Sequence, residues 1–244
     1  AAPPGLLPGA PAGRRPTPAG AQPPRVREEA MKLVFATTNK HKLEELKSLV
    51  RGLSIEVLSL EDVEPVEVEE DAPTLEGNAA KKARAYVEKT GLAALADDTG
   101  LCVEALGGAP GVHSARYGGY EGSEGALGDG RERYRLNNER LVRELSGVPA
   151  EKRGAEFRTA LLFLSISGIV PGREAVVVQG IVAGRILEAP RGGHGFGYDP
   201  YFEIPEIGKT LAELTAEEKN RISHRARAFQ ALRPHLERLA RSGG

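Results

Sequence analysis

The sequence predicts an α/β protein built around a mixed, twisted sheet, and three patterns carry that expectation. From Met31 onward, short apolar runs alternate with segments whose apolar residues recur at helical spacing. Two long β-rich runs, residues 157–167 and 174–187, are separated only by Gly168-Ile169-Val170-Pro171-Gly172, the pattern of a long antiparallel hairpin. A helix-forming stretch from Ala216 toward Arg241 closes the chain. Strands joined through helices pair in parallel and a hairpin pairs antiparallel, so the sheet combines both directions.

Residues 1–30 stand apart from the rest. They hold eight of the seventeen prolines, interspersed with Ala and Gly. Too few large apolar side chains are present to offset the entropy of ordering, so a flexible, polyproline-like extension is expected. The segment lacks the apolar run of a secretory signal. Met31, the sole methionine, precedes the first convincing strand and is the expected start of the protein, with residues 31–244 as the folded domain.

Within that domain, residues 32–36 read as a short buried strand that hands over through Thr37-Thr38-Asn39 to a helix. Leu43, Leu46 and Val50 share one face of this helix, and Gly52 stops it. Ile55–Leu58 is a second strand, and the acidic stretch 61–71 is a loop. Thr74 caps a helix over 75–89. Residues 92–96 form a third strand, ending at Asp97-Asp98-Thr99-Gly100. A glycine-rich passage, 107–130, leads to a helix over 131–145. After the hairpin, residues 192–200 form a glycine-rich loop, and Pro234 is expected to kink or split the final helix.

Composition narrows the function classes. A formal net charge of -1 gives no bulk attraction to nucleic acid or to an anionic membrane, so any polyanion must be held by a local cluster of charge. No stable nucleic-acid partner is expected, because no basic stripe interleaved with aromatics is present. No apolar run is long enough to span a bilayer. The single cysteine, Cys102, excludes an internal disulfide and fits a reducing, cytoplasmic setting. It also excludes metal sites of the Cys/His type. Cys102 reads as a small core residue, and His113 as a structural loop histidine.

Four segments carry candidate chemistry. In Thr37-Thr38-Asn39-Lys40-His41-Lys42, hydroxyls, an amide and lysines gather where a strand enters a helix, and free N–H groups there favour phosphate. A helix cap with solvated lysines explains the same residues. Asp97 and Asp98 are oxygen donors suited to Mg²⁺, with Glu70 and Lys82 as a further acid and a cation; a polar turn is the plainer reading. In Gly195-Phe196-Gly197-Tyr198-Asp199-Pro200, Phe196 offers a flat face for a base, or pins the loop to the core. Lys219, Ser223, His224 and Arg225 stand at the last helix, either as ligands or as solvated charges.

Taken together and in this order, these segments resemble the inosine triphosphate pyrophosphatase family (Ham1/RdgB-like, XTP/dITP diphosphatases). The match runs through nearly all of residues 31–240. Besides the four segments it is carried by Thr74-Leu75-Glu76-Gly77-Asn78-Ala79, Gly107-Gly108-Ala109-Pro110-Gly111 and Gly208-Lys209-Thr210. Thr38 departs from the commoner Thr-Gly-Asn form of the first turn, and Thr99 stands where Ser is more usual.

The resemblance implies an elongated two-lobed α/β domain with a central substrate cleft, usually a homodimer, acting on ITP, dITP and XTP with Mg²⁺. It implies that Thr37, Thr38, Asn39, Lys42 and Lys82 hold the triphosphate. Asp98 is implied as proton acceptor and metal ligand, with Asp97 beside it, Glu70 as a second metal ligand and Thr99 adjoining. Phe196 stacks on the base, with Gly197, Tyr198 and Asp199 completing that wall. Lys219, His224 and Arg225 reach the phosphate or the 6-oxo group. Competing expectations are a pyrophosphatase for other modified nucleotides, and a nucleotide- or RNA-binding module without catalysis. Adjacent carboxylates oppose the second, because they repel phosphate unless a metal intervenes.

Overall fold

The computed structural model describes residues 30–119, 130–165 and 175–242. Residues 1–29 of the expected extension, the hairpin turn 168–172 and residues 120–129 of the glycine-rich passage lie outside them. The described strands form one eight-stranded mixed sheet. Strand β1 (Met31–Phe35) pairs in parallel with β2 (Ile55–Leu58) on one side and with β3 (Ala93–Val103) on the other. Strand β4 (Pro110–Gly111) pairs with the end of β3. Strands β5 (Gly154–Leu164) and β6 (Ala175–Ile186) form the expected antiparallel hairpin, followed by β7 (Phe202–Ile204) and β8 (Lys209–Thr210).

Period-two alternation along the strands sends alternate side chains to opposite faces. Leu33, Phe35, Leu95, Leu161 and Phe163 pack against helix α1 (Lys40–Leu49) through Leu46 and against helix α5 (His224–Ser242) through Phe229 and Leu232. Val34, Ala36, Ala94, Ala96 and Leu162 instead meet Ala79, Ala83 and Val87 of helix α2 (Leu75–Thr90). Right-handed crossovers explain this, since leaving β1 for β2 and returning past it to β3 places the two helices on opposite faces. Helix α3 (Arg131–Glu144) packs Leu141 against Leu101, Val103 and Phe157 at the far end of the same strands. The expected cap of α2 is present: the Thr74 hydroxyl accepts from Gly77 N–H at 3.1 Å.

Two expectations are corrected. Strand β3 does not end at Ala96 but runs on through Asp97, Asp98, Thr99 and Gly100 to Val103, because β5 pairs with it along that whole length. The terminal helix breaks at Ser223, not at Pro234. Ser223 adopts an extended conformation (φ -65°, ψ 158°) that ends helix α4 (Ala216–Ile222), and its hydroxyl accepts from Ala226 N–H at 3.2 Å to start α5. Helix α5 is then continuous through Pro234. The break thus follows the local cap at Ser223, and the one N–H that Pro234 lacks does not end α5.

The approach of α5 to the sheet depends on Gly180 in β6. A Cβ there would stand 1.9 Å from the His224 carbonyl oxygen and 2.4 Å from Ala228 N. Gly180→Ala is therefore expected to lower stability by about 1–3 kcal/mol, read from the urea midpoint. Gly193→Ala, whose added methyl meets nothing within 4 Å, should keep the wild-type midpoint. An unchanged Gly180→Ala midpoint would show that β6 and α5 do not approach so closely.

Candidate active site

Ligands of open α/β sheets bind outside the carboxyl ends of the strands, where successive helices leave by opposite faces. Here that point lies between β1 and β3. Strand β1 covers β3 only as far as Leu95, and β4 resumes the pairing at Leu101, so among the described residues that edge of β3 has no strand partner from Ala96 to Gly100. A cavity of about 560 Å³ opens beside it, lined among others by Thr37, Lys42, Asp98, Phe196, Tyr198 and His224. Segments far apart in sequence converge there, as their candidate chemistry requires.

Because the aspartates lie within a strand, they do not stand side by side. Asp97 shares the parity of Leu95 and turns to the face of α1 and α5, whereas Asp98 shares that of Ala96 and turns to α2. Asp97 is fully buried. Its Oδ2 lies 3.0 Å from Lys42 Nζ and 3.3 Å from Arg225 Nε, and accepts from the Thr99 hydroxyl at 3.2 Å. Burial pushes the Asp97 carboxyl up, but Lys42, Arg225 and Lys82 together hold it far below the usual carboxylate range.

Asp98 lines the cavity and has fewer cations against it than Asp97. Its Oδ2 accepts from the Asn78 amide at 3.0 Å, while Lys82 Nζ stands 3.9 Å from Oδ1. Lys82 donates instead to Glu70 Oε2 at 2.8 Å. Burial dominates at Asp98 and raises its pKa in spite of Lys82 and Lys42. A carboxyl in this state accepts a proton more readily than an ordinary one.

The opposite wall is the loop containing Phe196. Asp199 Oδ2 accepts from Phe196 N–H at 2.9 Å and from Lys219 Nζ at 2.8 Å, which fixes the loop to α4. Gly195 sits at φ +73°, and a Cβ there would come 2.2 Å from Asp199 Oδ2. Gly197 presents its carbonyl to the Asn138 amide at 2.9 Å, and Tyr198 donates its hydroxyl to the Ser114 carbonyl at 2.8 Å. Lys219, His224 and Arg225 are buried, not solvated charges on a bare helix. His224 stacks on Phe157 (centroids 4.7 Å apart), and burial, followed by Arg225 and Lys219, keeps its imidazole neutral well below the usual range. His224 Nδ1 is buried and lacks a hydrogen-bond partner.

The phosphate-type turn is built as a cap. Asn39 Oδ1 accepts from His41 N–H at 3.0 Å and Lys42 N–H at 3.3 Å, while Thr37 Oγ1 accepts from Asn39 N–H at 3.3 Å. Thr37, Thr38 and Asn39 all line the cavity. Outside it, the Cys102 thiol is half-buried and pushed up by burial, the opposite of an activated nucleophile. His113 is exposed.

Further residues of the site have no role assigned to them from the sequence. Glu45 of α1 lies 2.8 Å from Lys219 and pairs with Arg225. Burial raises its carboxyl, yet Arg225 and Lys219 bring it down to about 2. Asn78 positions Asp98, and His41 stacks on Phe196 at 5.1 Å. Each stands on an ordinary-looking amphipathic helix, and only the tertiary partner gives it a role.

Lys42, Lys82, Lys219 and Arg225 face Glu45, Glu70, Asp97, Asp98 and Asp199, so carboxylates outnumber these cations by one. A triphosphate with about four negative charges therefore needs added positive charge to enter. Among the described residues, no group of three or more His, Cys, Asp or Glu side chains is arranged to hold a metal alone. Asp98 and Glu70, both facing Lys82 and both lining the cavity, match the other regime, in which one or two carboxylates share Mg²⁺ with substrate phosphates.

A family model described as the Ham1 family matches residues 33–235. A dITP/XTP pyrophosphatase of Anaeromyxobacter sp. (strain Fw109-5) is 46% identical over 234 residues, covering 87% of this chain and 100% of that protein. One from Geobacter sulfurreducens is 48% identical over 206 residues, covering 84% of this chain and 96% of that protein. The solved structure of a HAM1 protein from Coxiella burnetii is 34% identical with a TM-score of 0.73, covering 85% of this chain and 99% of that one.

The buried charges make an acid-dependent prediction. A Glu45 carboxyl held at about 2 instead of 4.5 stabilises the fold by roughly 3 kcal/mol at neutral pH. Because its folded pKa is depressed, that contribution is complete above pH 4.5 and is lost as pH falls toward 2. Glu45→Gln should be less stable than wild type at pH 7, with a deficit that narrows between pH 4.5 and 2 in urea titrations. A deficit independent of pH would contradict the ionised pairing.

Proposed function

This chain belongs to the Ham1 family, and we infer that it is a dITP/XTP pyrophosphatase, a hydrolase that converts these triphosphates to monophosphate and pyrophosphate. The observation that carries the reading is Asp98 at the uncovered edge of β3, facing the cavity beside Lys82 and Glu70. We propose that it works as a cytoplasmic homodimer with the nucleotide in the central cleft of a two-lobed domain.

In this account Thr37, Thr38 and Asn39 present hydroxyls and the capped N-terminus of α1 to the phosphates. Lys42 and Lys82 neutralise phosphate oxygens, and in doing so exchange part of their pairing with Asp97 and Glu70 for the substrate. Asp98 and Glu70 would hold Mg²⁺, which would supply positive charge to the phosphates and acidify water. Asp98 takes the proton of the water that attacks the α-phosphorus as the bond to the α,β-bridging oxygen breaks and pyrophosphate leaves with that oxygen, while Asp97 holds Lys42 and Arg225 in place from beneath.

The base lies against Phe196, with Tyr198 and Asp199 supporting that wall. The neutral His224, in the tautomer with its proton on Nδ1, donates to the 6-oxo group and so completes an otherwise unpartnered atom. An adenine presents an amino donor there instead, leaving donors unpaired at about 1–3 kcal/mol each. One mismatch yields about tenfold to a hundredfold discrimination, so Lys219 and Arg225 share the task.

Pyrophosphate release from dITP, ITP, XTP, ATP and GTP, with Mg²⁺ and with EDTA, tests this directly. The expected result is metal-dependent release from dITP, ITP and XTP with little from ATP. GTP keeps the 6-oxo group, so its rate reports on the 2-position. Equal rates on ITP and ATP would discard the 6-oxo gate, and no release from any would overturn the activity.

A further inference from the structure

The cavity has a wall that none of the roles above uses, the first turn of α3. Tyr134, half-buried, lines the cavity together with Arg133. Its ring lies 6.2 Å from that of Phe196, tilted by 38°, within the range of an aromatic pair. Its hydroxyl accepts from the Asn39 amide nitrogen at 3.5 Å. Tyr134 therefore touches both halves of the site, the wall for the base and the turn for the phosphates.

The contact to Asn39 is specific in its chemistry. Asn39 Oδ1 is committed to the N–H groups of His41 and Lys42. The Nδ2 end carries the donors of the amide, and the Tyr134 hydroxyl accepts from it and so reinforces the orientation that Oδ1 sets. On its other side the ring is backed by main chain: a Cβ on Gly130, the helix N-cap at φ +77°, would come 3.3 Å from Tyr134 Cζ. The Arg133 guanidinium carbon stands 5.4 Å from the ring centroid. The ring is thus held between the α3 terminus and Phe196 and cannot swing away without losing these contacts.

We propose that Tyr134 is a positioning residue that couples the base wall to the phosphate turn. Its ring narrows the slot beside Phe196 for a planar base, and its hydroxyl holds the amide of Asn39 in the capping orientation. The proposal rests on the pyrophosphatase reading of the cavity, and goes beyond it by assigning to one side chain the link between the two ends of the nucleotide.

Two substitutions separate the two contacts. Tyr134→Phe keeps the ring and removes the hydroxyl, whereas Tyr134→Ala removes both. Calorimetric binding of inosine monophosphate and of inorganic pyrophosphate, each with Mg²⁺, reads the two ends independently, beside kcat and KM for ITP. Tyr134→Phe should bind the monophosphate within twofold of wild type and pyrophosphate about twofold to fivefold more weakly. Tyr134→Ala should weaken the monophosphate about threefold to tenfold, and the loss in kcat/KM for ITP should fall mainly on KM. A Tyr134→Ala protein that binds both ligands as wild type does would overturn the coupling. So would equal losses on both ligands in the two variants, which would signal general loosening. A wild-type protein that neither turns over ITP nor binds the monophosphate would contradict the pyrophosphatase reading itself; a wild type that does both isolates the role of Tyr134.

Discussion

Burying a carboxylate in the middle of a strand is among the more expensive things a fold can do, at several kcal/mol unless cations meet it. Asp97 imposes that demand on this protein. Lys42 must come to it from α1 and Arg225 from α5. Arg225 is itself buried and requires Glu45, Glu45 also takes Lys219, and Lys219 takes Asp199. Asp199 in turn holds the backbone of Phe196. Charges of alternating sign thus run from the phosphate turn, under the cavity floor, to the wall that faces the base. Each member is compensated by its neighbours, so removing one leaves the next exposed to the full desolvation term.

The strand period divides the labour of the two aspartates. A turn would have left both carboxylates in one solvated corner, where they repel and share whatever cation arrives. In β3 they face opposite sides of the sheet, and their environments push their proton affinities apart. That separation suits two like groups to the different roles proposed for them. Gly100 follows in the same strand, where a Cβ would collide with the Gly111 carbonyl at 2.6 Å. The signature that reads as a turn is therefore a strand whose glycine admits a close neighbour.

This also marks what was legible in the sequence. Leu43, Leu46 and Val50 announced α1 through helical spacing, and Thr74 announced α2 through cap chemistry, because both signals are local. Asp97-Asp98-Thr99-Gly100 misled because carboxylates and glycine are disfavoured in strands, and the compensation arrives from Arg225, 128 residues away. Pro234 outweighed Ser223 for the same reason: a missing donor is visible in one residue, whereas the cap that breaks the helix is defined by geometry. The candidate segments are visible in the sequence, whereas Glu45 and Tyr134 are not, since each matters only through a partner in another element.

The claim most open to a direct test is the division between Asp97 and Asp98. Paired measurements of kcat for ITP and of urea stability at pH 7 should separate Asp97→Asn from Asp98→Asn. Asp97→Asn is expected to lose about 3 kcal/mol or more, because the buried Arg225 and the partly buried Lys42 lose the carboxylate between them. Asp98→Asn is expected to be at least as stable as wild type, since a carboxyl with a raised pKa opposes folding at neutral pH. Its kcat should fall by about a hundredfold or more. An Asp98→Asn protein with wild-type turnover, or an Asp97→Asn protein with wild-type stability, would contradict the account.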